Sequence, residues 1–115
     1  MAQLTLVTTA EFGREVLFSP TPVVVDFFAE WCGPCRVLAP VLERLANRYA
    51  DTVHFRKADV DDDPELAEHY GITTIPTILL FQHGHLLERH EGLIDLKSLL
   101  VKLDRLAGVT SLDGH

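Results

Sequence analysis

Cysteine is scarce in this chain: two among 115 residues, Cys32 and Cys35. Two thiols are too few for an iron–sulfur cluster, which takes four, and covalent haem attachment wants His after the second cysteine, where Arg36 stands. Zinc would need two of the histidines as further ligands. Basic charge is short as well, with ten Lys and Arg against seventeen Asp and Glu, a net charge of −7. Those basic residues are scattered, so no electrostatic footprint for nucleic acid exists. No apolar run approaches the roughly 20 residues that cross a bilayer, so no membrane partner is expected. The opening MAQLTLVTTAEF lacks the basic start and apolar core of a signal peptide, and a cytoplasmic location is expected.

What is present is an ordinary globular composition, 47% hydrophobic and 23% charged, which is enough to build a packed core. The length suits one domain and a monomer. The expected domain is 1–115, with a core of about 4–107 and a tail at 108–115. No internal repeat, low-complexity tract or linker divides it.

Thr8-Thr9-Ala10-Glu11 fits a capping box opening a helix that runs toward Phe18 and stops before Pro20. Residues 23–29 form a continuous apolar run broken only by Asp26, which suits a strand buried on both faces. Val37, Leu38, Val41, Leu42, Leu45 and Tyr49 recur at helical spacing, with Pro40 inside as a kink. Residues 53–60 read as another strand, and Asp61-Asp62-Asp63-Pro64-Glu65 as an acidic helix start. Two short strands, 77–81 and 86–90, flank His83-Gly84 as a hairpin. Asp95 then caps a last helix carrying Leu96, Leu99, Leu100, Leu103 and Leu106. The order β-α-β-α-β-α-β-β-α predicts an α/β fold, a mixed sheet covered on both faces.

This arrangement puts Cys32 at a strand-to-helix junction, with Gly33 and Pro34 leading into the helix. Pro34 is tolerated there because a first-turn N–H has no helical partner. The free N–H groups and the positive end of the helix dipole favour a thiolate on Cys32, and Cys35 lies on the same face within disulfide reach. Redox chemistry is the leading reading of the pair, with Cys32 as an exposed nucleophile and Cys35 as a buried resolving thiol.

Trp31-Cys32-Gly33-Pro34-Cys35 resembles the active-site signature of the thioredoxin family. The resemblance runs from Leu4 to about Ala107 and includes Asp26, Pro40, Lys57, Ile75-Pro76 and Gly92. It implies the thioredoxin fold, a central five-stranded mixed sheet flanked by four helices. It also implies a general protein-disulfide reductase with no bound cofactor and a redox-active Cys32–Cys35 disulfide. The partners it implies are disulfide-bearing target proteins and a thioredoxin reductase. By the same resemblance the Ile75–Pro76 bond is expected to be cis and to face the cysteines, with the backbone of Ile75 free to pair with an extended substrate. The substrate groove is then expected from Trp31, Gly33, Pro34, Ile75, Pro76, Gly92 and Leu93.

Asp26 fits that chemistry. A lone carboxylate in an apolar strand suffers desolvation, which raises its pKa. Below the cysteines it can take a proton from Cys35 through water. Lys57, in phase with Val53 and Phe55, is expected to be the partner that makes Asp26 tolerable, and a merely structural Asp–Lys pair is the competing reading.

The remaining polar features read as surface. His83, His85 and His90 are solvated histidines rather than a metal site. Asp59, Asp61 and Asp63 alternate like a calcium loop, but Pro64 stands where that loop needs Gly, so they are read as helix-start charges. The chain departs from the family in having Phe28 where Trp is common, and Glu91 where a small apolar residue often precedes the glycine, placing negative charge on the groove rim. Two alternatives stay open. One is a disulfide oxidase or isomerase, against which the Gly-Pro pair between the cysteines weighs; the other is a thioredoxin-fold binding module without turnover.

Overall fold

The computed structural model describes residues 4–92 and 96–108; Leu93 and Asp95, expected in the groove and as a helix cap, lie outside them, as does most of the expected tail. The apolar run becomes strand β2, Val23–Phe28, the middle of a five-stranded sheet of order β1-β3-β2-β4-β5. Strands β1 (Leu4–Leu6) and β3 (His54–Asp59) run parallel to it, whereas β4 (Thr77–Gln82) and β5 (His85–Glu91) run antiparallel. A strand walled by neighbours on both edges and packed on both faces has no solvent side, hence the absence of polar alternation in Val23-Val24-Val25.

Side chains alternate along β2, and so do the two cores. Val24 faces Leu38, Leu42, Phe55, Ile78, Leu99 and Leu103. These come from the sheet and from helices α2 (Gly33–Arg48) and α4 (Leu96–Leu106). Val23, Val25 and Phe27 face the other way, onto Phe12, Val16, Leu66 and Phe81. That second core is closed by α1 (Thr9–Phe12) with its π-helical continuation Gly13–Leu17, and by α3 (Pro64–His69). Asp26, two positions from Val24, is therefore on the α2 face by strand periodicity. The sheet's alternation decides that the buried carboxylate lies on the cysteine helix's side.

Two details correct the sequence expectation. Val37 is 70% exposed, so the buried stripe of α2 is Cys35, Leu38, Leu42, Leu45 and Ala46. The apolar stripe of a helix is only about 100° wide, and Val37 falls outside it. The alternating aspartates are not a set of helix-start charges. Buried Asp59 ends β3 and accepts the N–H groups of Asp61 at 2.8 Å and Asp62 at 3.4 Å. Only Asp63 stands at the start of α3, and its carboxylate is taken by the N–H and hydroxyl of Thr9, both at 2.9 Å.

The first helix opens with Glu11 accepting the Thr8 N–H at 3.1 Å. It then widens, the Phe18 N–H reaching back to Gly13 at 2.9 Å. In the β4–β5 hairpin His83 and Gly84 both take positive φ, 53° and 80°, the geometry whose twist matches the flanking strands.

Candidate active site

Cys32 is the N-cap of α2, extended at φ −85° and ψ 112°, with Pro34 in the first turn. Its Sγ accepts the Cys35 backbone N–H at 3.2 Å. A helix start offers such N–H groups unpaired, so the same donor that meets a disulfide sulfur here would meet a thiolate after reduction. The two cysteines are joined in a disulfide, their Cα atoms 5.3 Å apart. The expectation of an exposed Cys32 is corrected: in this oxidised form Cys32 is 4% exposed and Cys35 3%. Ala29, Phe28 and Ile75 pack around both. What separates the sulfurs is position, since Cys32 Sγ lies 3.9 Å from the carbonyl oxygen of Ile75, while Cys35 faces inward.

Beside Cys35 a pocket of about 320 Å³ is lined by Asp26, Phe28, Ala29, Cys35, Ala39 and Lys57, with exposed Glu30 and Arg36 at its solvent side. Asp26 is 2% exposed, and among the described residues its Oδ1 is a buried oxygen with no hydrogen-bond partner. Burial pushes its pKa from 3.8 up to about 7, and the Lys57 charge draws it back only partly. Lys57 sits in register with Asp26 on the adjoining parallel strand. Its ammonium lies 5.5 Å from the centre of the Phe28 ring, a cation–π distance. A carboxyl that titrates near neutrality, beside a thiol, in a space large enough for water, has the properties of a proton acceptor.

Above the disulfide the chain forms a shallow rim. Trp31 is 69% exposed and donates its indole N–H to Asp61 at 2.8 Å. Sequence reasoning does not reach this partner, since Asp61 reads there as a helix-start charge; its place just after the strand carrying Lys57 is the signal it offers. Gly33 and Pro34 are exposed beside the sulfurs. Across from them the Ile75–Pro76 bond is cis, Ile75 is half-buried and Pro76 buried. Gly92 closes this side with φ 77°, its N–H donating to the Pro76 carbonyl at 2.8 Å. A Cβ there would meet no atom within 4 Å, so backbone conformation rather than space asks for glycine. Glu91 is exposed on the rim as expected, but it is paired: Arg89 Nε reaches its carboxylate at 2.7 Å. Among the described residues no group of three or more His, Cys, Asp or Glu could hold a metal.

A disulfide at a helix start on a mixed sheet, with a buried carboxyl beneath and a cis-proline loop beside it, defines the thiol–disulfide oxidoreductases of the thioredoxin fold. The family model for thioredoxin matches residues 3–105. The chain is 42% identical to thioredoxin 1 of Synechococcus elongatus over 105 residues, covering 91% of this chain and 98% of that protein. It is 44% identical to the thioredoxin of Rickettsia typhi over 94 residues, 82% of this chain and 90% of that one. With the thioredoxin of Acidithiobacillus ferridurans the identity is 43% over 98 residues, covering 85% and 91%. The chain belongs to the thioredoxin family. It is a protein dithiol–disulfide oxidoreductase that reduces target disulfides by reversible oxidation of Cys32 and Cys35. The family carries no cofactor, acts on disulfide-bearing targets and is recycled in general by thioredoxin reductase.

Proposed function

We propose that the reaction divides between the two sulfurs, with Cys32 as nucleophile, Cys35 as resolving thiol and Asp26 as its proton acceptor. The observation that carries this reading is that Cys35 shares one cavity with Asp26, whereas Cys32 lies outside its lining, at the start of α2 with its Sγ 3.9 Å from the Ile75 carbonyl. In the reduced protein the Cys32 thiolate attacks one sulfur of a target disulfide. The target's S–S bond breaks, its other sulfur leaves as a thiolate, and a mixed disulfide joins Cys32 to the target. Cys35 then gives its proton to Asp26, directly or through water, and attacks Cys32 Sγ. The second target sulfur leaves, and the Cys32–Cys35 disulfide forms. Two electrons pass to the target, and the two protons its thiols take up come from Asp26 and solvent. Lys57 keeps the Asp26 site ionisable by opposing desolvation, which leaves the acceptor poised near neutrality rather than fixed in its neutral form.

Trp31, Gly33, Pro34, Ile75, Pro76 and Gly92 make the binding groove in this reading, with the target segment lying along Ile75. The protein acts as a monomeric electron carrier in the cytoplasm, recycled by a thioredoxin reductase, in one domain spanning 1–115. Gly-Pro between the cysteines favours a reductant over an oxidase or isomerase, and retention of both thiols argues against a binding module without turnover.

Trapping tests the division of labour. Cys35→Ser should accumulate mixed disulfides with a protein substrate, whereas Cys32→Ser should capture almost none. Equal trapping by both variants removes the assignment.

A further inference from the structure

Between α3 and β4 the chain has no regular structure over residues 72–76, yet this segment carries Ile75 and Pro76 to the disulfide. Its course depends on its anchors. At one end α3 stops, Gly71 turns with φ 62°, and the carbonyls of Tyr70 and Gly71 emerge past the last helical turn. At the other end the Pro76 carbonyl is held by the N–H of Gly92.

One side chain ties the first end to the strand that holds the second. Arg89, opposite Leu79 on the edge strand β5, donates through Nη1 to the Tyr70 carbonyl and through Nη2 to the Gly71 carbonyl, the latter at 2.7 Å. Its Nε donates to Glu91 at 2.7 Å, and Glu91 directly precedes Gly92. Residues two apart on a strand share a face, so the pair is in phase by construction. We propose that Arg89, braced by Glu91, is a positioning residue for protein-disulfide reduction, holding the 72–76 wall of the groove against the dithiol.

The proposal rests on the reading that the segment through Ile75 and Pro76 contacts the target. It also changes the meaning of Glu91: its carboxylate orients the guanidinium and is matched by it, so it is not free rim charge. A planar guanidinium satisfies three acceptors in fixed directions, and a lysine ammonium on the same stem cannot bridge them in that geometry. Losing such a brace loosens one wall without touching the sulfurs.

The experiment is dithiothreitol-driven reduction of insulin, followed against insulin concentration, and of a small aromatic disulfide. The variants are Arg89→Met, Arg89→Lys and Glu91→Gln, with Arg14→Met as a charge-matched control whose partner Glu15 is remote in the fold from the dithiol. Arg89→Met should raise KM for insulin by roughly threefold to tenfold with kcat changed less than about twofold, the size of about one ordinary hydrogen bond, since only part of what the brace loses is felt in the groove. The effect should shrink on the small disulfide; Arg89→Lys should restore only part of it, and Glu91→Gln should fall between. Amide exchange at Ile72, whose N–H bonds Ala67 at 2.9 Å, and at Gly92 should quicken in Arg89→Met relative to Leu79 in the buried centre of β4. Unchanged KM in Arg89→Met, or equal losses on both substrates, overturns the proposal. Wild-type protein that reduces the small disulfide but not insulin would instead overturn the groove reading beneath it.

Discussion

Asp26→Asn removes the buried charge at nearly constant shape. The Asp26 pKa is 3.8 in an ordinary setting and about 7 in the fold, with burial as the larger cause and Lys57 opposing it. Between those values the folded state holds a proton that the unfolded chain has released. The stabilising contribution of protonated Asp26 is therefore complete below pH 3.8 and lost as pH rises through about 7. Three pKa units at ~1.4 kcal/mol each make the ionised group unfavourable by ~4 kcal/mol at pH 8. Asparagine escapes that term but buries an amide whose donors must find partners, a cost of ~1–3 kcal/mol if they do not. The net gain at pH 8 should therefore be ~1–4 kcal/mol, shrinking toward zero or below at pH 4.

The assay is urea unfolding of both oxidised proteins from pH 4 to 8.5. With a slope of roughly 1–3 kcal/mol per molar urea, the midpoint of Asp26→Asn should rise relative to wild type by on the order of 1 M across the series. Taking the difference between the proteins cancels the titrating groups that do not interact with Asp26. A difference that stays flat with pH refutes the reasoning, because it means that Asp26 has the same proton affinity in both states. In single-turnover reduction the variant should form the mixed disulfide at nearly the wild-type rate and resolve it more slowly, since only the second step uses the acceptor.

Lys57→Met removes the attraction that opposes burial, so the Asp26 pKa should climb above about 7; carboxyl NMR titration would show this, and an unchanged value would deny the coupling. Trp31 is the only tryptophan and adjoins Cys32, so its emission should be low in the disulfide form and rise on addition of dithiothreitol; indifference to reduction would place the indole away from the sulfurs. Leu42→Ala empties a fully buried site between α2 and the sheet and should cost about 2–5 kcal/mol in denaturant unfolding, a smaller loss meaning that the helix settles inward.

The short-range features were legible in the sequence because each depends on neighbours along the chain. The buried strand followed from an apolar run, α2 from helical spacing, the hairpin from His83-Gly84, and the dithiol's place at a helix start from Gly33 and Pro34. The raised pKa of Asp26 could also be foreseen, since any carboxylate in such a run loses water. The chain's own residues and its family likeness together reached the reaction.

Tertiary structure decided what depends on distant segments meeting. The alternation of β2 could say that Asp26 and Val24 share a face, but only packing put α2 and Cys35 over that face and Lys57 across from it. Cys32 looked exposed by its place in a loop, yet Ala29, Phe28 and Ile75 enclose it in the disulfide form. Asp61 reads along the chain only as a helix-start charge and Arg89 carries no signal at all, because their partners, the Trp31 indole and the carbonyls of Tyr70 and Gly71, lie 30, 19 and 18 residues away. Periodicity reports which face a residue occupies, whereas a hydrogen bond needs a particular atom within about 3 Å. Only the folded chain, by bringing remote segments to that distance, turns those charges into parts of the site.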